Sequence, residues 1–134
     1  SPRNARGEPT NLRSGCGYMP GKPPSLAMAA AGLLSLQVCG EYDSLEARGS
    51  VNWLREQNIG KNRSYFYYGT YYYSQGMRKR EKAVAEKARQ MVEDALLKRQ
   101  EGGTWKGGHG PVYCTSMAML SLSVKYHYLP IYQH

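Results

Sequence analysis

No stretch of this 134-residue chain is long and apolar enough to cross a bilayer: its longest nearly apolar run, Leu26 to Leu36, is about half of the roughly 20 residues that a spanning helix needs. Cysteine is scarce. Three residues are too few and too odd in number for a disulfide framework, which leaves open one bridge beside one free thiol, and the compartment with it. Phenylalanine occurs once and tryptophan twice, so the aromatic content rests on 12 tyrosines, six of them between Tyr65 and Tyr73. Acidic residues number 10 against 18 Lys+Arg, a net charge of +8. The start, Ser1-Pro2-Arg3, has neither a methionine nor an apolar signal core, which leads us to expect the cut end of a longer chain. A phosphate-binding glycine loop, a Ser/His/Asp constellation and a locally supported Cys/His pair are all missing.

What is present suits one folded domain. A chain of this size hides roughly 68% of the surface its unfolded form exposes, and a hydrophobic content of 41% permits a core without disulfides or metal. Residues 1–24 hold five prolines and no periodicity, and they read as an irregular basic arm. From Ser25, a natural N-cap, Leu26 to Leu36 is small and apolar on every side, the mark of a helix buried all round. Asp43 with Glu46 gives a start resembling a capping box, and Ala47, Val51 and Leu54 predict an amphipathic helix ending near Gln57. Tyr65 to Met77 has β-type propensity but is assigned to a helix by the repeat described next. Lys79 to Gln100 carries Val84, Ala88, Met91, Val92, Ala95 and Leu96 on one helical face. A last apolar segment runs from Val112 to about Tyr128 and is stopped by Pro130.

Buried and amphipathic helices thus alternate, and the alternation repeats. At an offset of 43 residues Trp53 to Gln57 overlies Leu96 to Gln100, and Gly60 overlies Gly103; at 86, Leu34-Ser35-Leu36 overlies Leu120-Ser121-Leu122. A unit of this length, one inner and one outer helix, predicts stacked αα-hairpins. The inner helices are nearly uncharged and need cover on both sides, which an open solenoid does not give and a closed barrel of helices does.

At this point a resemblance enters. Gln100-Glu101-Gly102-Gly103-Thr104-Trp105 resembles the core of the QW motif of squalene-hopene cyclases and related terpene cyclases, and Gln57 to Asn62 is a degenerate copy with Asn62 in place of the tryptophan. Gly110 to Ala118 and Gly17 to Gly21 look like the starts of inner helices after such turns. The resemblance covers about residues 17–132. It implies an all-α fold, an α/α-toroid, present here as about two and a half hairpins; more narrowly, it points to bacterial prenyltransferase and squalene oxidase repeat proteins. Residues 1–16 are then a basic arm and residues 17–134 the C-terminal portion of a larger toroid. Gln57, Gly60, Gln100, Gly103 and Trp105 are expected to form the turns that tie hairpins together, with Gln100 bonding exposed backbone at a helix end.

Catalytic chemistry is thinly represented. The D-x-D-D motif with which related cyclases protonate an alkene is missing. Tyr65, Tyr68 and Tyr72 share one side of a helix, and with Tyr113 they are the candidate binding residues of an aromatic inner surface, where ring faces attract a cation by roughly 0.5 to 2 kcal/mol each. The commoner role of such rings is to fill space between helix layers. His109 and Cys114 are the closest of the zinc-type side chains, but no spacing matches a structural site, so neither metal nor other cofactor is expected. Cys39-Gly40-Glu41-Tyr42 narrowly misses a complement-type thioester because Tyr42 stands where the acyl partner, a glutamine, is required; Gly40 is better placed as a helix-end residue. Basic residues cluster in Arg78 to Lys82 and in the arm, without a nucleic-acid fold signature, so no nucleic-acid partner is expected and a membrane surface is only weakly indicated. The expected partners are the remaining repeats of the parent chain or another subunit, with an apolar small molecule as ligand.

Overall fold

The computed structural model describes residues 5–7, 12–62 and 64–126. It is helical: α1 (Leu26–Val38), α2 (Leu45–Arg55), a 3-10 turn (Ile59–Lys61), α3 (Phe66–Arg78), α4 (Lys82–Leu97), α5 (Pro111–Ser123) and a closing 3-10 turn (Val124–Tyr126). Among the described residues no helix is long and apolar enough to cross a membrane. The expected segment to about Tyr128 ends earlier as a regular helix, and residues 127–134 lie outside the described residues.

Local chemistry explains most boundaries. Ser25 caps α1 by accepting the Met28 N–H at 3.3 Å. At its other end Gly40, with φ of 88°, donates to Gln37 O while Glu41 donates to Leu36 O. That pair of bonds is a Schellman closure, which needs a left-handed residue at Gly40. The near-thioester sequence is therefore a helix terminus, with Cys39 exposed. For α2 the cap is one residue later than expected: Ser44, not Asp43, accepts the Ala47 N–H at 3.2 Å. Asp43 instead faces the guanidinium of Arg48 at 3.6 Å.

The helices form two layers. In one, α3 lies against both α1 and α5; in the other, α2 covers α1 and α4 covers α3. The core between them joins Leu33, Leu54, Tyr73, Met77, Val92, Leu96 and Trp105. Fully burying a leucine such as Leu33 contributes roughly 1.5 to 3 kcal/mol. The backbones of α1 and α3 come close because α3 presents Gly69 and Gly76 on the side facing α1. A Cβ at Gly69 would lie 3.3 Å from Ala27 Cα, and one at Gly76 3.1 Å from Leu33 Cδ2. In the same interface Gln37 Nε2 donates to Gly76 O at 2.9 Å.

The spacing of the inner helices is less regular than the sequence offsets imply. α3 begins 40 residues after α1, and α5 begins 45 after α3. Aligned by their starts, α1 and α5 differ by 85 rather than 86, which sets buried Ala29 and Leu33 over buried Cys114 and Ala118. At 86, buried Leu34 would match exposed Leu120.

Two ends of the double layer are treated differently. Residues 12–17 are irregular, but they lie across α1 and α2: Asn52 Nδ2 donates to Leu12 O at 2.7 Å, Ser14 N to Gly49 O at 3.0 Å and Ser25 N to Cys16 O at 3.1 Å. Beyond α5 nothing among the described residues continues the layer. The expectation that α5 is covered on both sides is thus corrected: Val112, Met119 and Leu120 are exposed.

Replacing Gly69 with Val should destabilise the protein by about 1 to 3 kcal/mol, because a branched side chain there drives α1 from α3. Urea unfolding followed by circular dichroism measures this; Gly108→Val, where no neighbour lies within 4 Å of an added Cβ, is the control and should change stability far less.

Candidate functional site

The first turns of α3 and α5 open side by side onto the turn that carries Lys106 to Gly110, and together they bound an open cavity of about 520 Å³. That volume lies within the range of small-molecule pockets. Tyr65, the residue before α3, holds a left-handed conformation with φ of 51° and ψ of 44°. This costs a non-glycine residue roughly 1 to 2 kcal/mol. Its ring stacks toward His109 at 6.4 Å between centroids, and His109 meets Tyr113 edge-on at 5.3 Å, so three rings run continuously along one wall. Tyr68 lines the same cavity and packs on Tyr72 at 4.6 Å.

Of the four tyrosines singled out from sequence, Tyr65, Tyr68 and Tyr113 come together in this cup. Tyr72 does not line it; it supports Tyr68 and also packs on Tyr71 at 5.5 Å. Tyr73 takes the space-filling part, 1% exposed between α3 and α4. Burial pushes its phenol up to about 12. Burial also raises the phenols of Tyr67 and Tyr113, with nearby Cys114 adding in the same direction, so both are hydrogen-bond donors at neutral pH.

Three further residues of the site were not selected as binding residues from sequence. Arg99 lies over the ring of Phe66, 3.5 Å from its centroid, and donates to Gly60 O and Asn62 O at 3.1 Å each. Lys106 and His109 stand on the turn before α5. The only signal for them was proximity to the Gly-rich turn, which places no side chain. His109 and Cys114 do line one cavity, Cys114 buried and His109 exposed, but among the described residues no group of three metal-type side chains converges.

The residues assigned to interhairpin turns lie in the turns that follow α2 and α4. Trp105 is 3% exposed; its indole Nε1 donates to Leu96 O at 2.8 Å and its backbone N–H to Thr115 Oγ1 at 3.0 Å. One residue therefore closes the end of α4 with its side chain and holds the first turns of α5 with its backbone. Gln100, expected at that helix end, is exposed and its side chain holds no hydrogen bond among the described residues; the indole occupies the carbonyl instead. Gln57 Nε2 bonds back to Trp53 O at 3.0 Å, Gly60 supplies a carbonyl to Arg99, and Gly103 takes a φ of 80°.

The basic cluster at the far end of α3 is largely committed to the fold. The Arg80 side chain is 7% exposed, donates to Tyr42 O, and lies 3.7 Å from both Asp43 and Glu81. It ties the α1–α2 turn to the α3–α4 turn. A second cavity of about 390 Å³ beside it mixes cations with Glu86 and Glu93, and Arg89 is paired with both acids.

Comparison of the chain with protein-family models, curated proteins and solved structures gives no match.

Two outcomes follow from these contacts. Trp105→Ala should destabilise by about 3 to 5 kcal/mol, with Trp105→Phe losing less, as read from denaturant midpoints. Because the folded-state pKa of Tyr73 is raised, its contribution is complete below pH 10 and is lost as pH climbs toward 12. Tyr73→Phe should therefore flatten the loss of stability between those pH values by about 2 to 3 kcal/mol relative to the parent chain, measured by thermal melts across the range.

Proposed function

We propose that this chain is a catalytically incomplete segment of an α/α-toroid, similar to terpene-cyclase-like repeat proteins, and that it serves as a scaffold or binding module to which further helical repeats of the parent chain, or of another subunit, attach. The observation that carries this reading is the edge at α5. Its exposed face presents Val112, Ser116, Met119 and Leu120, at i, i+4, i+7 and i+8, and α5 contains no charged residue at all. A helix with this pattern is suited to meet another apolar helix rather than water. Among the described residues nothing continues the layer α1–α3–α5 beyond α5, whereas residues 12–17 lie over the α1 and α2 side. Repeat units of this kind bury their faces on neighbours.

A second reading keeps the same toroid but makes it part of a squalene or terpene cyclase, or a prenyltransferase, acting on isoprenoid substrates with catalytic motifs outside this segment. The tyrosine-lined cup favours it. Substantial turnover of squalene by the isolated chain would overturn the scaffold reading.

Light scattering on the chain alone tests the edge. It should self-associate, and the double variant Val112→Lys, Met119→Lys should be monomeric with an unchanged helical spectrum. A parent chain that stays monomeric at every concentration would overturn the proposal.

A further inference from the structure

The walls of the cup are aromatic, and its ionic character is one-sided. Among its lining residues Arg99 and Lys106 are cationic and none is acidic, whereas the cavity beside Arg80 is lined by Glu86 and Glu93 together with its cations; the carboxylate nearest the cup's cations is Glu101, outside the lining. Arg99 is held in place by Gly60 O, Asn62 O and the face of Phe66. Lys106 is exposed and shares its charge with Glu101 at 3.3 Å, a pair open enough to exchange partners. The phenols of Tyr67 and Tyr113 stay protonated; Tyr67 already donates to Lys106 O at 3.0 Å. The first turns of two 13-residue helices border the same space, and the positive ends of their dipoles add to the potential there. Tyr65 and His109 are stacked with 20° between their planes and Tyr113 meets His109 edge-on at 68°, so a flat molecule finds a ring face of that stack to lie on and a ring set across it to meet its edge.

We infer that the cup binds a planar aromatic anion: a ring system stacked on the Tyr65–His109 pair and meeting Tyr113 edge to face, with a carboxylate or phosphate directed to Lys106 and Arg99. Stacking selects for flatness and the cation pair for negative charge, so neither a neutral aromatic nor an aliphatic acid satisfies both. The inference stands apart from the docking of repeats at α5, which uses another side of that helix.

The test is titration of the intact chain with 2-naphthoate, followed by NMR and calorimetry, with 2-naphthyl phosphate, 2-naphthol and cyclohexanecarboxylate in parallel. Naphthoate should produce ring-current shifts at His109 and Tyr113. The neutral naphthol and the aliphatic acid should each bind at least about tenfold more weakly. The relative affinities of naphthoate and naphthyl phosphate tell which anionic group the cation pair prefers. Lys106→Gln and His109→Ala change exposed side chains and should each weaken naphthoate binding about fivefold while the helical spectrum stays unchanged. Equal affinity for naphthoate and naphthol, binding unaffected by either substitution, or no binding by the folded chain would overturn the proposal. A monomeric chain that binds naphthoate defeats only the docking reading; a self-associating chain that ignores it defeats only this one.

Discussion

The close approach of α1 and α3 is the constraint on which the remaining packing rests. Gly69 and Gly76 stand seven residues apart on α3, two turns along one face, and they let Ala27 and Leu33 come within contact distance of the backbone. With larger residues there, α3 would be pushed away from α1 and toward α4. Tyr73 and Met77, on the neighbouring face, would then lose their fit against α4. The price of this proximity is polar burial. Gln37 satisfies the Gly76 carbonyl across the interface, and its own Oε1 is left without a hydrogen-bond partner. Such a group is costly unless the surrounding packing offsets it.

The second half of the fold hangs on Trp105 and Arg99. Both residues link the turn that follows α4 to other elements: the Trp105 indole to the end of α4 and its backbone to Thr115 of α5, the Arg99 guanidinium to the turn after α2 and the start of α3. Because the Arg99 side chain and the Trp105 backbone hold the first turns of α3 and α5, these two residues also set the shape of the cup. The cup is thus a by-product of how the turns after α2 and α4 are tied to the helices beside them. Its wall lies on turn residues supported by rigid helices, the arrangement in which loops most often carry function.

Much of the helical layout was legible in the chain itself. The Ser25 cap, the Gly40 terminus and the apolar stripe of α4 each follow from local chemistry, and each has its counterpart in the structure; the alternation of buried with amphipathic helices fails at α5, whose Val112 and Met119 are exposed. Other details were not legible. The α2 cap fell on Ser44 because serine reaches the Ala47 N–H, while neighbouring Asp43 is drawn to Arg48 and Arg80. The basic run from Arg78 to Lys82 read as a surface patch, yet Arg80 is buried; its partners Tyr42 and Asp43 lie nearly forty residues earlier and no local pattern announces them.

The same division applies to the site. Sequence alone determined that the chain is helical, that tyrosines concentrate on one inner segment and that Trp105 belongs to a turn after the longest amphipathic helix, since all three depend on periodicity or on composition within a short window. Tertiary structure decided which of those tyrosines share a cavity. Tyr65, Tyr68 and Tyr113 meet there, Tyr72 stands behind them, and Tyr73 is sealed into the core. It also decided that Arg99, Lys106 and His109 complete the wall and that α5 keeps an open side. The physical reason is one of range: a helix's own pattern says which face is apolar, but only the placement of its neighbours says what that face meets.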